Sequence, residues 1–173
     1  VSRLMEEEGI FYFFEHQHGK HTLVLADAPQ AMKPCPGQET AQYQPVAGRG
    51  KNLDTINEWR EEQELRSGKV LLRDFHFEKP QTQLEVASRS VVKAGSDRNL
   101  AIYDYPAEYA QRFNRPTERL GDILPEGRKL AKLRMEEEEA THRQIHGSST
   151  CRAFSVGQRF ELTDFPNRGD HSG

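Results

Sequence analysis

The chain has 173 residues, of which 35% are hydrophobic and 29% are charged, and its formal net charge is −3. This length suits one ordinary domain or part of a larger protein. The longest apolar run is far shorter than the ~18 residues of a membrane span, and no stretch has the pattern of a signal peptide. The small negative charge gives no electrostatic footprint for nucleic acid. The composition therefore excludes membrane-spanning and nucleic-acid-binding classes and favours a soluble protein of the cytoplasm.

The two cysteines, Cys35 and Cys151, are too few for a disulfide scaffold or a zinc ribbon. Cys35 lies in a proline-rich segment, Cys151 begins a predicted strand, and nothing in the pattern brings the two together. We therefore predict two free thiols in a reducing compartment.

The first predicted element is the end of a helix. Residues 1–8 place their apolar side chains on one helical face, and Gly9 suits the left-handed position that follows many helices. No capping residue precedes Val1, so the helix is expected to begin upstream of the chain.

A hairpin and a long loop follow the helix. Residues 10–15 and 21–26 are predicted strands around a turn with Gly19 near its tip. The contiguous apolar run at residues 10–14 favours a strand that is covered on both faces. Residues 27–52 are rich in Pro, Gly and Gln and predict a loop that packs on something outside the chain or stays mobile.

The middle of the chain is predicted to be strand-rich. Residues 54–59 favour a helical turn or the start of a strand. Residues 69–78 form a convincing strand that ends at Pro80, and residues 83–88 alternate like a half-buried strand.

The aromatic residues of this region are candidates for the core. We predict that Trp59 and Phe75 are largely buried. Leu71 and Phe77 are expected to share the covered face with Phe75, because alternation along a strand sends one set of side chains inward.

The second half of the chain is predicted to contain helices and a returning hairpin. Residues 105–113 and 125–142 favour helices, and Gly147 is expected to end the second. Residues 152–156 and 158–163 are predicted to form the closing hairpin.

These elements predict an α+β fold that is rich in β-structure and has few helices. The predicted organisation is a β-rich subdomain over residues 1–98, a helical segment over residues 99–146, and a returning hairpin with a disordered tail over residues 147–173.

One histidine cluster has a possible metal chemistry. His16, His18 and His21 fall within six positions, and three imidazoles with an open fourth position would suit a catalytic zinc ion. The three residues span an exposed turn, however, where polar residues are expected without any metal. A metal-dependent hydrolase that uses this cluster is kept as the alternative function, and no metal ligand is assigned.

A second histidine pair fails as a protease motif. His142 and His146 have the spacing that places two imidazoles on one helical face. In the zinc protease motif the first histidine is followed by a glutamate that acts as general base. Here that residue is Arg143, and a cation cannot accept a proton from water.

Two short motifs are interpreted as chance matches. Residues 48–51 ("GRGK") have the wrong spacing for a phosphate loop, and no predicted strand leads into them. Residues 168–170 ("RGD") match an adhesion tripeptide within a ragged tail. No catalytic, cofactor-binding or metal-binding residue is therefore predicted, and no cofactor is expected.

The acidic run at residues 136–139 circles a predicted helix and is expected to be exposed to solvent or to a partner. Two ion pairs at i,i+4 spacing are predicted on this helix, Lys132–Glu136 and Arg134–Glu138.

Four segments in a fixed order resemble one family, the VgrG spike-tip proteins of type VI secretion systems. They are "VSRLMEEEGIFYFFEH…HTLVLAD", "INEWREEQELRSGKVLLRDFHFEKP", "YDYPAEY" and "LRMEEEEATHRQIHGSSTCRAFSVGQRFELTDFP". Together they span nearly the whole chain and are similar to the second hub domain of that family. The chain departs from the family near its end, where a His-Pro pair is replaced by Phe165 and Pro166.

The resemblance implies a barrel-like subdomain of a phage-tail-type hub, with a structural role and no enzymatic activity. It also implies a homotrimer in the full-length protein, docking on the Hcp tube, contact with baseplate components, and effector or PAAR-type tip proteins bound through C-terminal parts. Neither a nucleic acid nor a small-molecule substrate is implied. Such a spike is assembled in the bacterial cytoplasm and then secreted into the medium or a target cell. The resemblance covers only the middle of a VgrG, so the chain is either a fragment or the product of a truncated gene.

Overall fold

The computed structural model describes residues 1–45, 54–92, 100–113 and 117–166. It divides the chain into two compact units, one formed by Val1–Glu62 and Ile145–Gly173 and the other by Gln63–Gln144. The helices and strands are α1 (Ser2–Glu7), β1 (Phe11–Gln17), β2 (Lys20–Ala26), β3 (Lys33–Pro34), β4 (Thr40–Tyr43), β5 (Thr55–Gln63), β6 (Lys69–Asp74), β7 (Leu84–Arg89), β8 (Ala101–Asp104), α2 (Ile123–Ala140), β9 (Arg143–Ser149), β10 (Gln158–Arg159) and β11 (Glu161–Thr163).

The predicted α+β, strand-rich fold class is confirmed. Within the part of the chain that the structure describes, no helix is long and apolar enough to cross a bilayer.

The first unit begins with the predicted helix and hairpin. Gly9 follows α1 with a φ of 71°, and Gly19 has the same φ in the turn between β1 and β2. The two strands pair antiparallel from Phe11↔Ala26 to Gln17↔Lys20. This part of the sequence prediction is confirmed.

The remaining strands of the first unit pair over long sequence distances. A four-stranded sheet has the order β11-β4-β5-β9, with β11 parallel to β4 and β4 parallel to β5. Strand β10 pairs in parallel with β3. The predicted closing hairpin is therefore wrong, because residues 158–163 pair with strands near the start of the chain.

The predicted long loop is also partly wrong. A 3-10 turn at Pro29–Ala31, strand β3 and strand β4 all lie within residues 27–45. They form because the returning strands β10 and β11 supply backbone partners that local sequence cannot reveal. Residues 46–52 of the predicted loop lie outside the described residues, as do residues 48–51 with the rejected phosphate motif.

An aromatic cluster joins the elements of the first unit. Trp59 on β5 lies 6.3 Å, between ring centroids, from both Phe160 and Phe165, and Phe154 stacks on Phe160 at 4.3 Å. Trp59 is half-buried, so the prediction that it is largely buried is only partly met. The edge-to-face contact with Phe160 favours this packing beyond area burial alone.

The second unit packs helix α2 on a three-stranded sheet of order β7-β6-β8. Strand β6 is antiparallel to β7 and parallel to β8. The buried core of this unit comes from one face of the sheet, from α2 and from the segment before it, and comprises Val70, Leu72, Leu84, Val86, Tyr109, Ala110, Ile123, Ala131 and Met135.

The predicted inward face of β6 is wrong. Val70 and Leu72 face the core, and Asp74 and His76 continue the same alternation as buried residues. Phe75 and Phe77 are exposed instead. Asp74 is held inward because its carboxylate accepts hydrogen bonds from the backbone N–H groups of Phe75 and Ala110, both at 2.8 Å.

The two predicted helices fare differently. The helix expected at residues 125–142 exists as α2, which begins two residues earlier and ends at Ala140. The helix expected at residues 105–113 is wrong, because the chain leaves β8 through a cis Tyr105–Pro106 bond and forms only a 3-10 turn at Gln111–Phe113.

Gly147 does not end a helix. It lies within β9, where an added Cβ would approach the backbone oxygen of Glu58 to 2.7 Å. A glycine is needed here because the two backbones come too close for a side chain.

The acidic end of α2 carries surface ion pairs. The predicted pair Lys132–Glu136 is present at 3.5 Å. Arg134 contacts Glu137 at 3.0 Å rather than the predicted Glu138. Glu138 lies 3.9 Å from Arg66 on the same unit. Glu136 and Glu137 are exposed and their two acidic neighbours are half-buried, so the expectation of an exposed run is met in part.

Candidate functional site: two open apolar faces

The outer side of the first hairpin carries four apolar side chains, Tyr12, Phe14, Leu23 and Leu25, here called the hairpin face. The register places Tyr12 opposite Leu25 and Phe14 opposite Leu23, so all four project from the same side. Each is between 45% and 57% exposed. A contiguous apolar patch of this kind marks an interaction surface more often than it occurs on a free surface.

The inner side of the same hairpin is covered within the first unit. Phe13 is buried, and its ring lies directly against Gly157, where any Cβ would collide with it. Phe11 stacks beside Phe13 with ring centroids 6.4 Å apart. The sequence predicted that this strand is covered on both faces; among the described residues, the chain covers only the inner one. Coverage of the hairpin face by a partner stays a prediction.

The hairpin face ends in a pair of histidines. His16 and His21 lie directly opposite each other at the strand ends, and their Nδ1 atoms are 2.7 Å apart. His18 is exposed in the turn. Across the described ranges of the chain, no group of three or more His, Cys, Asp or Glu residues is placed to hold a metal ion. The structure thus brings together two of the three histidines and does not form a three-histidine zinc site.

The other histidine pair is not on a helix. His142 follows α2, and its Nδ1 lies 2.7 Å from the backbone oxygen of Glu64. His146 lies on β9, where its Nε2 is 3.6 Å from the carboxylate of Glu62. Each imidazole therefore has its own polar neighbour in its own unit.

The second unit has an open face of its own, the aromatic patch, formed by Phe75, Tyr103 and Tyr105. These residues lie at the ends of β6 and β8, on the side of the sheet away from α2, and each is 55% or 56% exposed. They border a cavity of ≈ 320 Å³, whose lining also includes Arg73, Asp74, Pro80, Thr82, Gln83 and Leu84. Sequence reasoning missed this face, because it assigned Phe75 to the core.

The residues beneath the aromatic patch are structural. Tyr109 donates a hydrogen bond from its hydroxyl to the backbone oxygen of Leu84 at 2.8 Å. Burial, followed by the charges of Asp74 and Glu85, raises the pKa of Tyr109 to about 12. The phenol therefore stays protonated at neutral pH and is suited to holding the segment before α2 against β7, not to accepting a proton.

The two cysteines are free thiols, as predicted. Cys35 is buried, and its thiol donates to the backbone oxygen of Ala153 at 3.1 Å. Burial raises the pKa of Cys151, which is half-buried. The raised pKa makes the Cys151 thiol a poor nucleophile at neutral pH, because the thiolate is the reactive form.

Comparison with known proteins gives a consistent result. The sequence profile of the family described as phage tail baseplate hub (GPD) matches residues 1–173. The chain is 31% identical over 166 residues to the type VI secretion system spike protein VgrG1b of Pseudomonas aeruginosa, and 32% identical to VgrG1c of the same organism. It is also 25% identical over 164 residues to the actin cross-linking toxin VgrG1 of Vibrio cholerae.

The chain is much shorter than these relatives. The matches cover 96% of the chain but only 21% of VgrG1b and VgrG1c, and 95% of the chain but 14% of the Vibrio protein. The chain therefore spans about a fifth of the length of the first curated relatives that it matches.

Proposed function

The chain belongs to the phage tail baseplate hub family, and from this premise we propose that it is a structural segment of a type VI secretion spike. It acts by association and not by turnover. The observation that carries the proposal is the hairpin face, which exposes two aromatic and two aliphatic side chains on a strand pair whose inner side is already packed.

The magnitude of this exposure argues for a protein partner. Full burial of a large apolar side chain stabilises by ~1.5–3 kcal/mol, so covering four half-exposed ones contributes ~3–6 kcal/mol. A stable interface also needs roughly 1,000 Å² of buried area. The hairpin face alone supplies only part of that area, so the isolated chain is expected to associate weakly.

The finer proposal is that the full-length protein is a homotrimer that docks on the Hcp tube and on baseplate components. Effector or PAAR-type tip proteins bind through C-terminal parts of that protein. The trimer is assembled in the bacterial cytoplasm and then secreted. The names of the Pseudomonas relatives, which are spike proteins of this secretion system, support the proposal.

The alternative, a metal-dependent hydrolase, has less support. It requires His16, His18 and His21 around one ion, whereas only His16 and His21 approach each other. The Vibrio cholerae relative, which is named as a toxin, is matched over 14% of its length, so its activity does not transfer to this segment.

Light scattering tests the proposal on the isolated chain and on full-length protein that contains it. We expect a monomer or weak association for the first and a trimer for the second. Replacing Phe14 and Leu23 by Asp should dissociate the full-length trimer, whereas the matched change Leu65→Asp, at an exposed apolar residue of the second unit, should leave it intact. A full-length monomer that still supports Hcp secretion would refute the hub role.

A further inference from the structure

The cross-strand histidine pair at the end of the hairpin has a geometry that the spike role does not use. We propose that His16 and His21 form a clamp for a divalent transition-metal ion that prefers tetragonal coordination by nitrogen, namely Cu²⁺ or Ni²⁺. The proposal is independent of the proposed spike function, because it concerns two side chains of one hairpin.

The first support is the placement of the two nitrogens. The strand register holds His16 and His21 directly opposite each other on the same side of the hairpin, so the backbone fixes the separation of their side chains. The Nδ1 atoms are 2.7 Å apart, and the ring planes are inclined by 72°. Both rings are exposed and can therefore adjust their orientation without displacing core residues.

The distance favours one coordination geometry over another. With metal–nitrogen bonds of ~2.0 Å, two adjacent ligands of a square-planar ion lie ~2.8 Å apart, and two ligands of a tetrahedral ion lie ~3.3 Å apart. The observed 2.7 Å is the length of the hydrogen bond between the two metal-free rings, and it lies nearer to the first value than to the second. Square-planar or tetragonal sites built from nitrogen and oxygen are typical of Cu²⁺ and Ni²⁺.

The protonation of the pair is compatible with metal binding. A hydrogen bond between two imidazole nitrogens requires that one Nδ1 carries a proton and the other does not. When both Nδ1 atoms bind the ion, the proton on the first moves to its Nε2, and two neutral rings become the ligands. No net proton is released from the neutral pair, whereas an imidazolium has to lose its proton first.

The surroundings leave the other coordination positions to water. Among the described residues no third ligand completes the site. Phe14 stacks on His16 with ring centroids 6.3 Å apart. The charged neighbours along the strands are Lys20 and Glu15, and the Glu15 carboxylate is already paired with Lys33 at 3.1 Å. Such an open two-histidine site fits a bound cation that ties the strand ends together, not a hydrolytic centre.

Copper binding to the purified chain tests the proposal directly. We would titrate Cu²⁺ in the presence of glycine, which masks single-imidazole sites, and record the electron paramagnetic resonance spectrum. We expect one ion per chain with two imidazole nitrogens bound. His16→Gln and His21→Gln should each weaken binding at least ~10-fold, because each removes one of two protein ligands.

Two controls separate the clamp from general affinity of histidines for copper. His18 lies in the turn next to the pair but is not part of it, so His18→Gln should change the affinity for Cu²⁺ by less than ~2-fold. Far-ultraviolet circular dichroism of each variant checks that the fold is retained. A double variant, His16→Gln with His21→Gln, that keeps the affinity and the spectrum of the parent would overturn the proposal, and so would an equal loss in His18→Gln.

Discussion

Replacing Gly127 on α2 by alanine tests the core packing, because we expect it to lower stability, whereas this substitution in a helix usually raises it. A glycine in the interior of a helix is ordinarily ~1 kcal/mol less favourable than alanine, so Gly→Ala normally stabilises. At this position an added Cβ would lie 2.7 Å from Cε2 and 2.9 Å from Cζ of Tyr109. Ordinary carbon contacts are ~3.5–4.0 Å, so the ring would have to move by roughly 1 Å.

The ring of Tyr109 has little freedom to make this movement. It is buried, and its hydroxyl donates to the backbone oxygen of Leu84 at 2.8 Å. Overpacking a core costs ~1–3 kcal/mol, and weakening this hydrogen bond adds ~1 kcal/mol. After the helix gain is subtracted, Gly127→Ala should destabilise the second unit by ~1–3 kcal/mol.

Circular dichroism at 222 nm measures this effect, because α2 is the longest helix and lies wholly in the second unit. A loss of this size should lower Tm by roughly 4–8 °C per kcal/mol. Gly121→Ala is the matched control, since nothing lies within 4 Å of its added Cβ. The combination of Gly127→Ala with Tyr109→Leu should recover part of the loss. A Gly127→Ala protein more stable than the parent would refute the contact between α2 and Tyr109.

Three further predictions concern ionisation, thiols and the sheet. Because the pKa of Tyr109 is raised from its ordinary value of 10.0 to about 12, its contribution to stability is fully present below pH 10.0 and is lost as the pH rises to about 12. Tyr109→Phe should therefore remove this alkaline loss of stability in urea unfolding curves recorded over a series of pH values. A thiol reagent should count two thiols after denaturation, and in the native chain Cys151 should react before Cys35, which is only 1% exposed; faster labelling of Cys35 would contradict the packing. Leu72→Ala should cost ~2–5 kcal/mol in chemical denaturation, whereas Phe75→Ser should change stability by less than ~0.5 kcal/mol, and the reverse order would show that the faces of β6 are exchanged.

The sequence predicted best the elements that local chemistry determines. The hairpin formed by β1 and β2 needs only two apolar strands and, between them, a residue such as Gly19 that adopts a positive φ readily. The apolar runs and the glycine are both visible in the sequence. Helix α2 was also predictable from local sequence, because it is 18 residues long and Pro125 fits its first turn. Four family-like segments in the right order predicted the hub family, which the comparisons confirm.

The predictions that failed depend on partners distant in sequence. Strand β11 pairs with β4, so that Glu161 meets Thr40, and no local pattern indicates such a parallel pair. The segment after β8 has enough helix-forming residues to favour a helix, but it forms only a 3-10 turn at Gln111–Phe113, and Glu108 before this turn has a φ of 63°. In both cases tertiary contacts override local propensity.

The error on β6 has a different origin and bears on function. Both sets of alternating side chains on this strand include large apolar residues, so periodicity alone does not choose the inward set. The helix α2 packs on Val70 and Leu72, whereas on the opposite side Leu71 is half-buried and Phe75 is exposed. The hairpin shows the same division, with Phe13 buried and Tyr12 and Phe14 exposed.

This repeated division links the sequence pattern to an association role. A strand that is apolar on both sides has to be covered on both sides, and in each unit the part of this chain that the structure describes covers only one of them. Retaining large apolar side chains on the uncovered side has a cost for a free protein, because such surfaces promote aggregation. That cost disappears when a neighbouring domain or subunit provides the second cover. Contiguous apolar strands are therefore expected in a segment that completes its core only within an assembly, as the proposed spike hub requires.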